Sequence, residues 1–309
     1  MKYKVLFVCS GNKENGISPI VYNQGETLKE INIDVEYFPI KGKGINGYLS
    51  HYFPLQKKIR SGRYKAIHAH YSYCGILSTL ASPFSKTIVS LMGSFYKNSL
   101  KYYLVKFFSH FFWKTVIVKS TKMKEQIQIK NAVLIPNGVQ IEKYRLMNDR
   151  EKTRQELGFK EDKKYVIFVS NPARPEKNYS LAKEAVELLK DRTIELIPIC
   201  GKTQTEVVKY QTAADVLMLT SFTEGSPNVI KEAMAAGCPI VTTNVGDVKY
   251  IIGQTTGCFI LKTFGHEEAA ECLKKALIFN ARTEGLSRII SLGLDSSSVA
   301  EKISRLYIS

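Results

Sequence analysis

The sequence predicts an α/β fold in two halves, each a parallel sheet flanked by helices. Short apolar runs alternate with helix-like segments along all 309 residues, the pattern of strand–helix–strand units. The alternation comes as two series separated by a polar stretch, IEKYRLMNDREKTRQELGFKEDKK, and the length suits two cores rather than one. Charge divides along the same line: residues 1–144 hold 21 Lys and Arg against 7 Asp and Glu, whereas 145–309 hold 23 against 21.

Taken in order, YKVLFVCS (3–10) opens the first series as a buried strand, its apolar run too short for a signal peptide and lacking a small-residue cleavage site. DVEYFPI (34–40), YKAIHAHY (64–71), TIVSLMG (87–93), TVIVKS (115–120) and AVLIPNG (132–138) follow. The second series runs through KKYVIFVSN (163–171), IELIPICG (194–201), DVLMLTS (215–221) and PIVTT (239–243). A boundary near 145–160 gives domains 1–145 and 146–296, and SSVAEKISRLYIS at the end reads as a helix. No stretch reaches the roughly 18 to 20 apolar residues needed to span a bilayer. Six scattered cysteines, with no C-x-x-C pair and no zinc-like histidine spacing, read as reduced residues of a cytoplasmic protein.

EGSPNVIKEAMAAGCP (224–239) carries the chemistry. Ser226 is placed to cap a helix, Pro227 suits its first position, and Gly237 followed by Pro239 ends it. The spacing predicts a helix over 227–236 with Val229, Ile230, Ala233 and Met234 as its apolar stripe, and Asn228 and Glu232 together on another face. Glu224 stays on the turn before it. In parallel α/β sheets ligands sit beyond the strand ends, where a helix N-terminus can meet an anion, so this turn suits a sugar or a phosphate.

The longer stretch TSFTEGSPNVIKEAMAAGCPIVTTNVGDV, with VSNPARPEKNYSLAKEA (169–185) before it, resembles the donor-binding segment of retaining glycosyltransferases of family 4 (glycosyl transferases group 1). AADVLMLTS and LIPNGV stand in the matching order, and the similarity is closest over about 160–260. The resemblance implies the GT-B architecture, two Rossmann-like domains with parallel sheets facing an interdomain cleft, and a C-terminal helix (297–309) that joins the first domain. It implies that Glu232 binds the ribose hydroxyls of a UDP- or GDP-sugar, and that Glu224 with Gly225, Ser226, Pro227, Asn228 and Val229 holds the donor. Arg174 and Lys177 would neutralise the diphosphate, making Arg174, Lys177 and Glu224 the catalytic set. Gly16, in the first βα turn SGNKENGISP, and Gly201, at the end of IPICG, join the donor side. Fixed cations and a helix end can stabilise a departing diphosphate, and the chain has no D-x-D, so neither metal nor cofactor is expected. The chain departs from the family where Ser170 and Asn171 replace a common Gly-Arg, and where MGSF (92–95) stands for the family's HGSD, which leaves no transferable base there. His70, Tyr71 and Gly93 are the acceptor-side candidates.

Other features have plainer readings. GKGING (42–47) matches G-x-G-x-x-G but follows the second strand, and no acid lies about 20 residues on, so it reads as a basic loop rather than a cofactor loop. In HAHY, His68 and His70 share a face and read as a polar strand end or as packed core rings. In LKYYLVKFFSHFFWKTVIVK (100–119), Leu100, Leu104, Phe107, Phe108 and Phe111 form the expected core stripe. Tyr102, Trp113 and four lysines leave other faces aromatic and basic, as in interfacial helices. The expected function is transfer of a sugar to a lipid-linked or cell-surface glycan by a protein able to lie on the inner face of an anionic membrane. The rivals are a nucleotide-sugar epimerase on a similar scaffold and a basic nucleic-acid-binding protein. The second lacks any recognisable binding module, so no nucleic-acid partner is expected.

Overall fold

The structure, a computed structural model, describes residues 3–12, 16–42, 44–92, 99–147 and 149–308. The chain forms two compact units, residues 1–138 with 296–309, and 139–295. The division falls at 138/139 rather than near 145, because Tyr144, on the helix Ile141–Leu146, donates its buried hydroxyl to Gln211 Oε1 at 2.8 Å within the second unit.

In the first unit the strands β1 (Tyr3–Ser10), β2 (Ile33–Ile40), β3 (Tyr64–His70), β4 (Thr87–Ser90), β5 (Trp113–Val118) and β6 (Ala132–Leu134) form one sheet in the order β2-β1-β3-β4-β5-β6. Every pairing is parallel. Side chains alternate across it as the period-2 geometry of a strand requires. Leu6 and Val8 face the helices Tyr52–Ser61, Ser72–Ala81, Leu100–Phe111 and Thr121–Ile127, whereas Val5, Phe7 and Cys9 face Pro19–Glu30 and Ser296–Ile308. The last helix thus belongs to the first core, through Val299, Ala300, Ile303 and Tyr307.

The second unit holds β7 (Lys164–Phe168), β8 (Ile194–Pro198), β9 (Val216–Leu219), β10 (Ile240–Thr243) and β11 (Cys258–Leu261), ordered β11-β10-β9-β7-β8 and again parallel. The last of these strands has no counterpart in the expected series. Ile167, Leu217 and Ile240 pack under the helix Asn228–Ala235, while Val166, Met218 and Val241 meet Tyr179–Leu188 and His266–Phe279 on the other face.

Two expectations fail locally. Within GKGING, Gly44–Leu49 is a short helix rather than a loop. In Leu100–Phe111 the buried positions are Tyr102, Val105, Phe108 and Ser109, so Leu100, Phe107 and Phe111 face solvent. Apolar residues surround more than half of this helix, and periodicity could not choose the face. Stacking of Phe108 on the buried Trp113, 6.0 Å between ring centres, accompanies the face that the fold selects.

Candidate functional site

In the second sheet the strand order reverses direction between β7 and β9, the switch point where parallel sheets open a crevice at their carboxyl ends. The loops leaving these two neighbours are joined by hydrogen bonds. Thr220 Oγ1 donates to the carbonyls of Lys177 (3.1 Å) and Asn178 (2.8 Å), and the Phe222 amide donates to the Glu176 carbonyl at 3.0 Å. The basic loop is therefore pinned against the turn that carries Glu224. Lys177 Nζ lies 2.6 Å from Glu224 Oε1, with both side chains only 17% exposed, and Ser221 Oγ donates to the same oxygen at 2.8 Å. Arg174 is 54% exposed and gives its Nε to Glu176 Oε1 at 2.8 Å. Of the two predicted cations, only Lys177 is paired with the predicted acid.

The helix Asn228–Ala235 begins one residue later than expected, with Pro227 as its cap residue and no side-chain cap. Ser226 is not the cap, because its hydroxyl accepts from Lys231 Nζ at 3.3 Å and hydrogen-bonds Asp247. No side chain caps this end, and the Ile230 amide donates to the Pro227 carbonyl at 3.2 Å, so the outermost amides, those of Asn228 and Val229, are the ones such an end presents to an anion. The loop after β10 closes over this turn. Gly246 has φ +58°, a Cβ there would stand 2.2 Å from the Gly225 carbonyl oxygen, and the Asp247 amide donates to that oxygen at 3.2 Å. Asn228 Oδ1 and Asp247 Oδ1 are buried without a hydrogen-bond partner among the described residues, an unusual state for buried oxygens.

Glu232 is half-buried four residues beyond Asn228. Burial raises its pKa, against the opposing pull of Lys231, Gln211 and Lys143. Lys231 is wholly buried, and desolvation lowers its pKa to about 8 although Asp247 and Glu232 pull upward. The sequence reading missed Lys231, Asp247, Thr220 and Gln211. Lys231 sits beside Glu232 in the chain, where the apolar stripe offered no reason to expect an enclosed cation. Val229 is half-buried on the first turn of the helix. Gly201 (φ +69°) lies in the loop after β8, at the same sheet edge, with open space where a Cβ would be.

The switch point of the first sheet lies between β1 and β3. Gly16 (φ +81°) is in the loop after β1. His70, at the end of β3, is not a lining residue: its ring is fully buried, stacked on His68 at 4.4 Å and packed on Phe7 at 4.6 Å. Burial, with Lys119 nearby, lowers its pKa to about 3, so it stays neutral. His68 uses both nitrogens, toward Tyr307 Oη (2.6 Å) and Ser90 Oγ (2.8 Å). Tyr71 is half-buried with φ 80° and ψ 149°, a strained conformation for a residue with a side chain. Gly93 and Ser94 to Phe95 of the MGSF pattern lie outside the described residues. Among the described residues no group of three or more His, Cys, Asp or Glu could hold a metal ion.

The architecture is GT-B: solved structures of the same fold align over nearly the whole chain. Anabaena HepE in complex with UDP and glucose superposes with TM-score 0.73 at 17% identity, covering 99% of this chain and 100% of that one. A glycosyltransferase from Rickettsia africae superposes with 0.73 at 14% identity, covering 99% and 98%. Residues 194–278, which hold the core of the segment that resembles the group 1 glycosyltransferases, match the family model described as "Glycosyl transferases group 1". That segment contains both glutamates, Lys231 and Asp247, while Arg174 and Lys177 precede it. Among curated proteins, the putative teichuronic acid biosynthesis glycosyltransferase TuaC of Bacillus subtilis is 26% identical over 159 residues, 45% of this chain and 41% of that protein. The lipopolysaccharide glucosyltransferase WaaG of Escherichia coli is 36% identical over 75 residues, 24% of this chain and 20% of that protein. The matches thus span less than half the length of either curated relative.

Proposed function

We propose that this protein is a retaining glycosyltransferase of family 4, which moves a hexosyl group from a UDP- or GDP-sugar to a lipid-linked or cell-surface glycan intermediate. The Lys177–Glu224 pair at 2.6 Å carries the reading, because it sets a cation and an acid together at the sheet's switch point, next to an uncapped helix end. Both hydrogen bonds to Glu224 fall on Oε1, which leaves Oε2 for a sugar hydroxyl. Lys177, with Arg174 once it leaves Glu176, would neutralise the charge that grows on the departing diphosphate, and the helix amides would share it. Glu232 would accept from the ribose hydroxyls, and its raised pKa means that it gains from donors that keep it ionised. These groups suffice without a metal ion. A homologue named as a teichuronic acid enzyme and another named for lipopolysaccharide support an acceptor of the surface-glycan kind, and the basic first half suits work at the inner face of the cell membrane.

A thermal-shift panel of UDP-, GDP-, ADP- and CMP-sugars tests the donor, since a ligand specific to the folded state raises its stability. One nucleotide class should stabilise the protein, Glu232→Ala should weaken that shift about tenfold or more in apparent affinity, and Lys177→Ala should slow transfer by about a hundredfold. Preserved turnover in both variants would refute the assignment, and donor epimerised without acceptor would point to the epimerase instead.

A further inference from the structure

Residues 37–124 carry 15 Lys and Arg and not one Asp or Glu. Among the described residues of that region, 11 large apolar side chains face water. Seven of them lie on Tyr52–Ser61, Ser72–Ala81 and Leu100–Phe111, which with Thr121–Ile127 pack on one side of the first sheet, where the other side is covered by Pro19–Glu30 and Ser296–Ile308. Leu100, Tyr103, Phe107 and Phe111 form a continuous outward stripe at spacings of three and four on a single helix. Phe107 and Phe111 touch, 5.0 Å between ring centres. A shallow groove joins this stripe to the turn before β4, with Phe84 and Pro83 on one wall, Phe111 and Phe112 on the other, and Lys86 and Lys114 at its sides. Phe84 is fully exposed.

We infer that this face, the outward stripe of Leu100–Phe111 together with Phe84, seats on an anionic lipid bilayer. A patch of adjoining exposed aromatics is uncommon on a protein that meets only water. Aromatic rings and leucine at the level of lipid headgroups, on a helix with lysines and no acid of its own, are what an interfacial helix presents to a negative surface. Charge complementarity favours lipid over a second copy of this chain, since residues 37–124 hold only basic charge and two such segments would repel each other. No helix of the described residues is long and apolar enough to cross a membrane, so the contact is lateral. The inference deepens the acceptor reading, because a lipid-linked acceptor is met at a bilayer, but it stands on the chemistry of this face.

Flotation of the whole protein with vesicles of phosphatidylcholine, with and without phosphatidylglycerol, tests it at low and high salt. The wild type should float with the anionic vesicles at low salt and release at high salt. Phe107→Ser with Phe111→Ser should lower that affinity about tenfold or more, and Lys114→Glu about tenfold. Each variant should keep the donor-induced thermal shift, which reports both folding and the separate donor site. A wild type that stays off anionic vesicles, or an aromatic double variant that binds them as tightly as wild type, overturns the proposal. So does a wild-type dimer that the aromatic substitutions make monomeric without any vesicle binding, which would give the face to a second copy, or binding to duplex DNA in place of vesicles. If no nucleotide-sugar shifts the wild type while vesicle binding behaves as expected, the donor reading fails alone.

Discussion

Lys231 lies wholly buried beneath the turn that bears Glu224, with Ser226, Asp247 and Glu232 around it. A charged amine in such a place is tolerated only with partners, and here they come from the turn before the helix, the loop after β10 and the helix itself. Lys231 is therefore read as the cation that ties the two loops together. Its pKa of about 8, against an ordinary value of 10.5, means that the folded chain binds fewer protons than the unfolded chain between those values, so stability rises with pH across that window. Urea denaturation of wild type and Lys231→Met at several pH values should show the wild type gaining about 3 kcal/mol relative to the variant between pH 8 and pH 10.5. Titrating groups remote from Lys231 cancel in that difference, and a flat difference would mean that the lysine is not held as described.

At the scale of elements, the turn–helix unit was legible and its fastening was not. Ile230, Ala233 and Met234 are fully buried as the periodicity requires, and Gly237 (φ +65°) ends the helix as its position suggests. The cap shifted because Ser226 finds stronger partners across space than along the chain. Gly246 shows the same dependence on a distant loop: its left-handed backbone and the 2.2 Å approach to the Gly225 carbonyl leave no room for a side chain. Gly246→Ala should cost about 2 kcal/mol or more and weaken nucleotide-sugar binding, read by denaturation and by thermal shift on the same sample. Unchanged values for both would show that the two loops are not locked. The stripe of Leu100–Phe111 failed for a related reason, since a helix apolar on several faces carries no internal signal of which one meets the core.

For the whole molecule, the helix Ser296–Ile308 is the element whose place depends most on distance in the chain. Val299, Ala300, Ile303 and Tyr307 enter the core of the first unit, Tyr307 with its hydroxyl 2.6 Å from His68 Nδ1. Each large apolar side chain withdrawn from water is worth about 1.5 to 3 kcal/mol, and a domain's margin is only about 5 to 15 kcal/mol. A chain ending at Asp295 should therefore lose the first unit while the second stays folded. Limited proteolysis should then clear residues 1–138 before 139–295, and equal protection of both would contradict this account.

Local information settled the parallel α/β character, ten of the eleven strands among the described residues and the turn–helix unit that bears Glu224 and Glu232, because alternation, turn residues and a contiguous motif are all written within a few residues of one another. The eleventh strand, the burial of His70, the pairing of Arg174 with Glu176 and the enclosure of Lys231 were decided only by tertiary structure. Each depends on which side chains arrive from remote segments, and the energies that choose among them, desolvation and close packing, exist only once those segments meet.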